Sequence, residues 1–369
     1  MLRPRPILAY DARFHETGIG RYSEQLLGGL RTALPGVEIW CVVHPDHGSK
    51  LAGFADRIIP SSAAMYSVAT QATLPRLVRG ATLLHCPHYD VPVLYPDRMS
   101  VTIHDITHLL DPAFRDTLKS RIFAKSLLKL AVAKARRVIT ISQYSKRMIL
   151  ENLGGSESKI SVIHRYASPV FTPMAKEEAK EFVQRRLGIR RDFFLFVGHL
   201  KPHKNLPVLF EAFARLQSQH PRIELALIGK DKKNEPSLRA LATRLKINQG
   251  LHWIESVSDE TLRACYSAAE ATILPSRQEG FGLPVLESMA CGTPAICANA
   301  ASLPEVVGDS GLLFDPSSPE DCETQMLRIL ESQQLRDELR RKGMKRARQF
   351  DGDRAVAEHT QLFSELLAA

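Results

Sequence analysis

Short apolar runs recur along this chain with helix-like stretches between them, and the alternation occurs in two successive series. In the first, RPILAYDA reads as a strand, a glycine-containing turn follows, and a helix runs from about Gly20 to Thr32. EIWCVVH, ATLLHCPH, MSVTIHD and VITIS (residues 138–142) read as further strands. After a helix near 176–187, the second series places FFLFVGH, IELALIG, EATILP and PAICA as strands. NLPVLFEAFARLQ, SLRALATRLKI, TLRACYSAA and PVLESMACG read as the helices between and after them. Strands alternating with helices predict parallel sheets covered on both faces. With 369 residues and roughly 100–200 residues per domain, the expectation is α/β: two doubly wound, Rossmann-like domains. Residues 167–175, ASPVFTPMA, carry two prolines and little charge and read as a linker. The expected domains are therefore 1–170 and 171–350, followed by a C-terminal helix over 351–369. Open parallel sheets bind ligands beyond the carboxyl ends of their strands. Two such sheets facing each other would make a central cleft, so the residues after each strand are the ones to read for chemistry.

Composition narrows the class. No run of about 18 apolar residues is present, which argues against a membrane-spanning helix. The apolar stretch near the N-terminus, Ile7 to Tyr10, is too short for a signal peptide, and a cytoplasmic protein is expected. The six cysteines (Cys41, Cys86, Cys265, Cys291, Cys297 and Cys322) include no C-x-x-C pair. They read as reduced core thiols rather than zinc ligands. The net charge of +9 lies in one half: residues 1–170 hold 22 Lys and Arg against 13 Asp and Glu, and residues 171–369 hold 27 of each. Such asymmetry points to an anionic surface as partner. No aromatic-rich basic motif accompanies the charges, so nucleic acid is not expected. Residues 117–137 form a predicted amphipathic helix, with Ile122, Leu127, Leu130 and Val132 as apolar positions and Lys119, Arg121, Lys125, Lys129 and Lys134 as charges. Helices of this type can lie on anionic membranes, although a merely solvated face fits the pattern equally.

Four segments after strands carry residues suited to chemistry. The first is Glu279-Gly-Phe-Gly-Leu-Pro-Val-Leu-Glu287. Gly280 and Gly282 permit tight turning, Pro284 suits a first helical turn, and the helix start attracts anions. Glu279 is placed to hydrogen-bond sugar hydroxyls and Glu287 to reach a ribose diol. Spacing alone fits a solvated loop acid and a helix-surface acid as well. In VGHLKPHKN (197–205), Lys204, with Lys201 close by, is the cation suited to a departing diphosphate. In TGIGRYSEQLL (17–27), Gly18 and Gly20 resemble a phosphate loop, but Ser23 stands where a dinucleotide fingerprint needs its third glycine. Finally, His104 and Asp105 follow MSVTI at a strand's carboxyl end.

The run PSRQEGFGLPVLESMACGTPAICANAASLPEVVGDSGLLFDP resembles the signature region of retaining family 4 glycosyltransferases of the GT-B fold, with two glutamates eight residues apart. The other motifs fall in the family's order over nearly the whole chain. The resemblance implies that Glu279 contacts the donor sugar and Glu287 the nucleotide ribose. The backbone of Phe281, Gly282 and Leu283 would lie near the diphosphate or sugar, and Lys204 would stabilise the leaving group. Gly18, Gly20 and Arg21 would approach the donor phosphates and His104 the donor sugar, with Asp105 ordering its loop. The family's usual arginine after the first glycine of VGHLKPHKN is His199 here, and a neutral histidine is no fixed cation. Glu279, His104 and Lys204 are thus the expected catalytic residues. The C-terminal helix is expected to cross back to the N-terminal domain, which would hold the acceptor. No cofactor or metal is expected, since the Asp-x-Asp motif of the other main glycosyltransferase fold is absent. KPHKN and SLPEVVGDSGLLFDP look like bacterial mannosyltransferases of polysaccharide assembly. They point to GDP-mannose as donor, with UDP- and dTDP-sugars open, and to a saccharide acceptor, lipid-linked and at the inner membrane face. A sugar-nucleotide epimerase or phosphorylase, or a non-catalytic binding protein on the same fold, remain the alternatives.

Overall fold

The structure, a computed structural model, describes residues 5–14, 18–93, 95, 98–111 and 118–368. The chain divides into two compact units. One comprises residues 1–109, 115–164 and 352–369, the other residues 110–114 and 165–351. Each unit is built on one parallel sheet.

The first unit contains β1 (Ile7–Asp11), β2 (Glu38–Val43), β3 (Arg57–Pro60), β4 (Leu83–Cys86), β5 (Met99–Thr102), β6 (Arg137–Thr140) and β7 (Ile160–Val162), in the spatial order β3-β2-β1-β4-β5-β6-β7. The second contains β8 (Phe193–Val197), β9 (Glu224–Ile228), β10 (Leu251–Ile254), β11 (Ala271–Leu274), β12 (Ala295–Ala298) and β13 (Leu312–Phe314), in the order β10-β9-β8-β11-β12-β13. Both orders reverse once, between β1 and β4 and between β8 and β11. Such a reversal opens a crevice at the carboxyl edge of a doubly wound sheet. Every residue of β4, β5, β9, β11 and β12 is buried. Helices cover both faces of a parallel sheet, so its inner strands read as unbroken apolar runs. The six cysteines are free thiols and all are buried, as their apolar settings suggested.

The structure sharpens three sequence expectations. Within the segment read as a linker, Pro169, Thr172, Pro173 and Ala175 are exposed, while Phe171 lies in the core of the second unit, edge-on to Tyr266 with centroids 5.7 Å apart. The helix expected over 117–137 spans Leu118–Lys134. Its buried stripe is Leu127, Leu128, Ala131 and Val132, whereas Ile122 (58%), Phe123 (57%) and Leu130 (43%) are exposed. Of the four apolar positions named, Leu127 and Val132 thus face the core and Ile122 and Leu130 face outward. Residue 117 and the Lys119 side chain lie outside the described residues. Lastly, Gly18 and Gly20 are not in a turn but in the first turn of the helix Gly18–Ala33. Thr17 lies outside the described residues.

The helix Gly352–Ala368 belongs to the first unit and packs on Gly18–Ala33. Buried His359 makes the join. Its Nδ1–H donates to the Ala355 carbonyl at 2.7 Å, which leaves Nε2 to accept the Tyr22 hydroxyl at 2.7 Å. Burial pushes the His359 imidazole down to about 4, so the tautomer that accepts from Tyr22 persists at neutral pH.

Candidate active site

The reversal point of the second sheet brings two charged side chains together. β8 and β11 are neighbours, so the loops leaving their carboxyl ends run side by side. After β8, Gly198 takes φ +150°. Its carbonyl sits where a side chain at Gly229 (φ +152°) would have to be: a Cβ there would lie 1.9 Å from the Gly198 oxygen. Only glycine lets the two loops pass so closely. Pro202–Lys204 then forms a short 3-10 turn. It ends at Asn205, whose left-handed backbone (φ +58°) opens the helix Leu206–Gln219. Asparagine tolerates that conformation better than most residues. Its amide donates to the Pro316 carbonyl at 2.8 Å, which fixes the corner.

After β11 the loop reaches Gly282 at φ +98°, the N-cap of the helix Leu283–Ala290. A Cβ at 282 would meet the Leu303 side chain at 2.6 Å, so a larger residue would have to displace Leu303 as well as hold a backbone conformation that favours glycine. The Ser302 hydroxyl donates to the Glu279 carbonyl at 2.9 Å and holds the loop from the other side. The outcome is an ion pair, Lys204 Nζ to Glu279 Oε2 at 2.5 Å, with side chains only 11% and 15% exposed. Neighbouring His203 is buried, and burial together with Lys204, Lys201 and Arg277 pushes its imidazole down to about 3. It is therefore neutral, and it adds no charge beside Lys204. Among the described residues no three His, Cys, Asp or Glu side chains cluster as a metal site would need.

The other expected site residues fall as follows. Phe281 turns its ring into the interior, edge-on to Phe350 at 5.5 Å, so it can offer a ligand only its backbone. Leu283 begins the helix. Glu287 is buried within it and accepts a hydrogen bond from the buried Tyr266 hydroxyl at 2.8 Å, and is therefore not a helix-surface acid. His199 is exposed, and its Nδ1–H donates to the Lys230 carbonyl at 3.3 Å. In the first unit, Gly18 and Arg21 are exposed and Gly20 is buried, and a Cβ on Gly18 would meet nothing within 4 Å. His104 follows β5. Its Nε2–H donates to the Pro87 carbonyl at 3.1 Å, and its ring stands edge-on to Tyr22 at 5.0 Å. Asp105 accepts the Thr107 N–H at 2.9 Å and so orders the turn after His104. Sequence reasoning missed Tyr266, Ser302, Tyr22 and His359. Their partners lie 21 to 337 residues away, and no local pattern announces them.

The family model for Glycosyltransferase Family 4 matches residues 17–168, and that for Glycosyl transferases group 1 matches residues 178–346. The chain belongs to glycosyltransferase family 4. This glycosyltransferase is 29% identical over 367 residues to O-antigen chain mannosyltransferase B of Escherichia coli, covering 93% of this chain and 94% of that one. It is 26% identical over 340 residues to O-antigen chain mannosyltransferase RfbU of Salmonella typhimurium, covering 88% and 90%. Among solved structures, sucrose-phosphate synthase from Thermosynechococcus elongatus matches with a TM-score of 0.79 at 21% identity, covering 99% and 100% of the two chains. The two Rossmann-like parallel-sheet units of the glycosyltransferase are those of the GT-B fold.

Proposed function

We propose that this glycosyltransferase moves mannose from GDP-mannose, with retention of configuration, to a lipid-linked saccharide of cell-surface polysaccharide synthesis. The observation that carries the reading is the Lys204–Glu279 pair at the reversal point of the second sheet. A diphosphate leaving group develops negative charge as the glycosidic bond breaks. A preorganised cation and the N–H groups at the start of the helix Leu283–Ala290 would stabilise it. On binding, the diphosphate would draw Lys204 away from Glu279. The freed carboxylate would then hold and polarise the sugar while the departing phosphate takes the acceptor's proton from the same face. Glu287 would hold the ribose. Gly18, Gly20 and Arg21 would face the phosphates, and His104 the sugar. With Lys204 supplying the positive charge, the scheme uses no metal ion. Mannose is favoured because both O-antigen relatives named above are mannosyltransferases.

The base is tested by thermal shift. A ligand present at about 100 times its Kd adds about 2.7 kcal/mol of stability, so GDP is expected to raise the melting midpoint by several degrees and UDP and dTDP by much less. A larger shift with UDP or dTDP would overturn the GDP reading.

The acceptor reading draws on the helix Leu118–Lys134. Exposed Ile122, Phe123 and Leu130 stand among exposed Lys125 and Lys129. That mixture suits peripheral contact with an anionic membrane, where apolar groups insert and lysines meet headgroups. No helix among the described residues is long and apolar enough to cross one. The proposed place of work is the cytoplasmic face. Flotation with vesicles containing about one-third anionic lipid should carry the wild-type protein, and I122S/F123S should lower the bound fraction at least threefold. Equal flotation of the two proteins would remove the membrane contact.

A further inference from the structure

Five rings gather at the carboxyl edge of the first sheet, delivered by four different loops. Phe14 follows β1, Tyr66 follows β3, His88 and Tyr89 follow β4, and His108 follows β5. Phe14 and His88 stand with centroids 4.5 Å apart, His88 and Tyr89 4.1 Å, Tyr66 and Tyr89 5.5 Å, and Tyr89 and His108 stack at 5.4 Å with planes 15° apart. The Tyr66 hydroxyl lies 2.9 Å from His88 Nδ1. The cluster adjoins His104, which donates to Pro87 in the loop that carries His88 and Tyr89.

Two features show that this cluster is not ordinary core. Tyr66 has φ +58°, a conformation that costs a bulky residue energy and persists only where surroundings enforce it. Its ring is nevertheless 41% exposed, so the strain is not offset by burying the side chain. The enforcement comes from below. Arg13 makes two hydrogen bonds to Asp11, at 2.8 and 2.7 Å, and one to Thr70 at 3.0 Å, and lies 3.4 Å from Asp90. Asp90 in turn accepts the Tyr66 backbone N–H at 3.0 Å. All three ionic groups are buried. Asp90 Oδ1 is also buried and accepts no hydrogen bond among the described residues, which leaves an open acceptor beneath the rings. The second feature is charge. The first half of the chain is basic, yet this face presents phenols and imidazoles. Burial and nearby His108 push the His88 ring down to about 3, so it stays neutral.

A rigid aromatic surface that carries phenol hydroxyls and a neutral imidazole, at the edge where parallel sheets bind ligands, matches a pyranose, with its apolar C–H face and rim of hydroxyls. We propose that Tyr66, backed by His88 and Tyr89, is a stacking subsite for an uncharged sugar ring of the acceptor. The proposal rests on the transferase reading and places the acceptor's terminal sugar, rather than its lipid or phosphate, on this cluster.

The test is saturation-transfer NMR with methyl α-mannoside and mannotriose on the full chain, without donor, beside the acceptor KM in the transfer assay. Tyr66→Ala is expected to weaken saccharide binding and raise acceptor KM at least tenfold, with donor KM and the melting midpoint unchanged. Tyr66→Phe, which keeps the stacking face, should stay within about threefold of wild type in both readouts. Equal saccharide binding by wild type and Tyr66→Ala, or no saccharide binding by wild type, overturns the proposal. Failure of the transferase reading shows separately, as absence of nucleotide binding and of nucleotide release from the sugar donor.

Discussion

Glu279→Gln is expected to lower kcat by about 10²–10³-fold, the usual cost of removing one preorganised electrostatic contact from a transition state. The substitution keeps the side chain's volume and an oxygen facing Lys204, but removes the charge that sits 2.5 Å from its ammonium. The pair is largely shielded from water, so its loss also leaves Lys204 poorly matched in the free protein. That should cost about 1–3 kcal/mol, a few degrees at most in a chain of this size, and circular dichroism should show an intact fold. GDP should still bind, and with less competition for Lys204 its affinity should be equal or higher. A steady-state transfer assay on purified protein decides the matter. Wild-type turnover by Glu279→Gln would remove this carboxylate from the chemistry.

The second large effect is on stability. Gly229→Ala places a methyl group 1.9 Å from the Gly198 carbonyl oxygen and 2.7 Å from its carbon. Both are backbone atoms, so no rotamer change can relieve the clash. The new residue must also hold φ near +152°. Overpacking and the backbone penalty together should cost about 2–5 kcal/mol. The effect should not stop at stability. Gly198 opens the loop that carries Lys204, so relief taken up on that side would displace the ammonium from its place beside Glu279. Calorimetry should show a lowered melting midpoint, and the GDP-induced thermal shift should shrink in the same variant. A midpoint within a degree of wild type would mean the loops can separate at little cost.

The sequence revealed inner strands and concealed outer ones, for a physical reason. FFLFV and ATIL are buried on both faces and read as unbroken apolar runs. The four strands that the periodicity did not disclose, RIIP, ISV, LHWI and LLF, are β3, β7, β10 and β13, the edges of the two sheets. They are short and partly exposed, as edge strands tend to be, and so they carry a weak apolar signal. The site divides in the same way. Lys204 and Glu279 were legible because each stands in a glycine-marked loop directly after an inner strand. Tyr66 was not. Nothing local to SSAAMYS reports that its backbone N–H will meet a carboxylate 24 residues on, or that three other loops will bring rings to it. The helix Leu118–Lys134 shows a different limit: its apolar residues were visible, but which of them face water depends on the sheet beneath.

The bond between Tyr22 and His359 spans 337 residues, and it has a bearing on how the chain acquires its structure during synthesis. The first unit closes only when the helix Gly352–Ala368 arrives, after residues 165–351 have all been made. Domains generally fold in the order in which they leave the ribosome. Here the second unit has its whole sequence available before the first unit receives its last helix. Until then, the face of Gly18–Ala33 that receives the last helix stays open, an apolar surface on a nascent chain that the cell must keep from sticking to its neighbours.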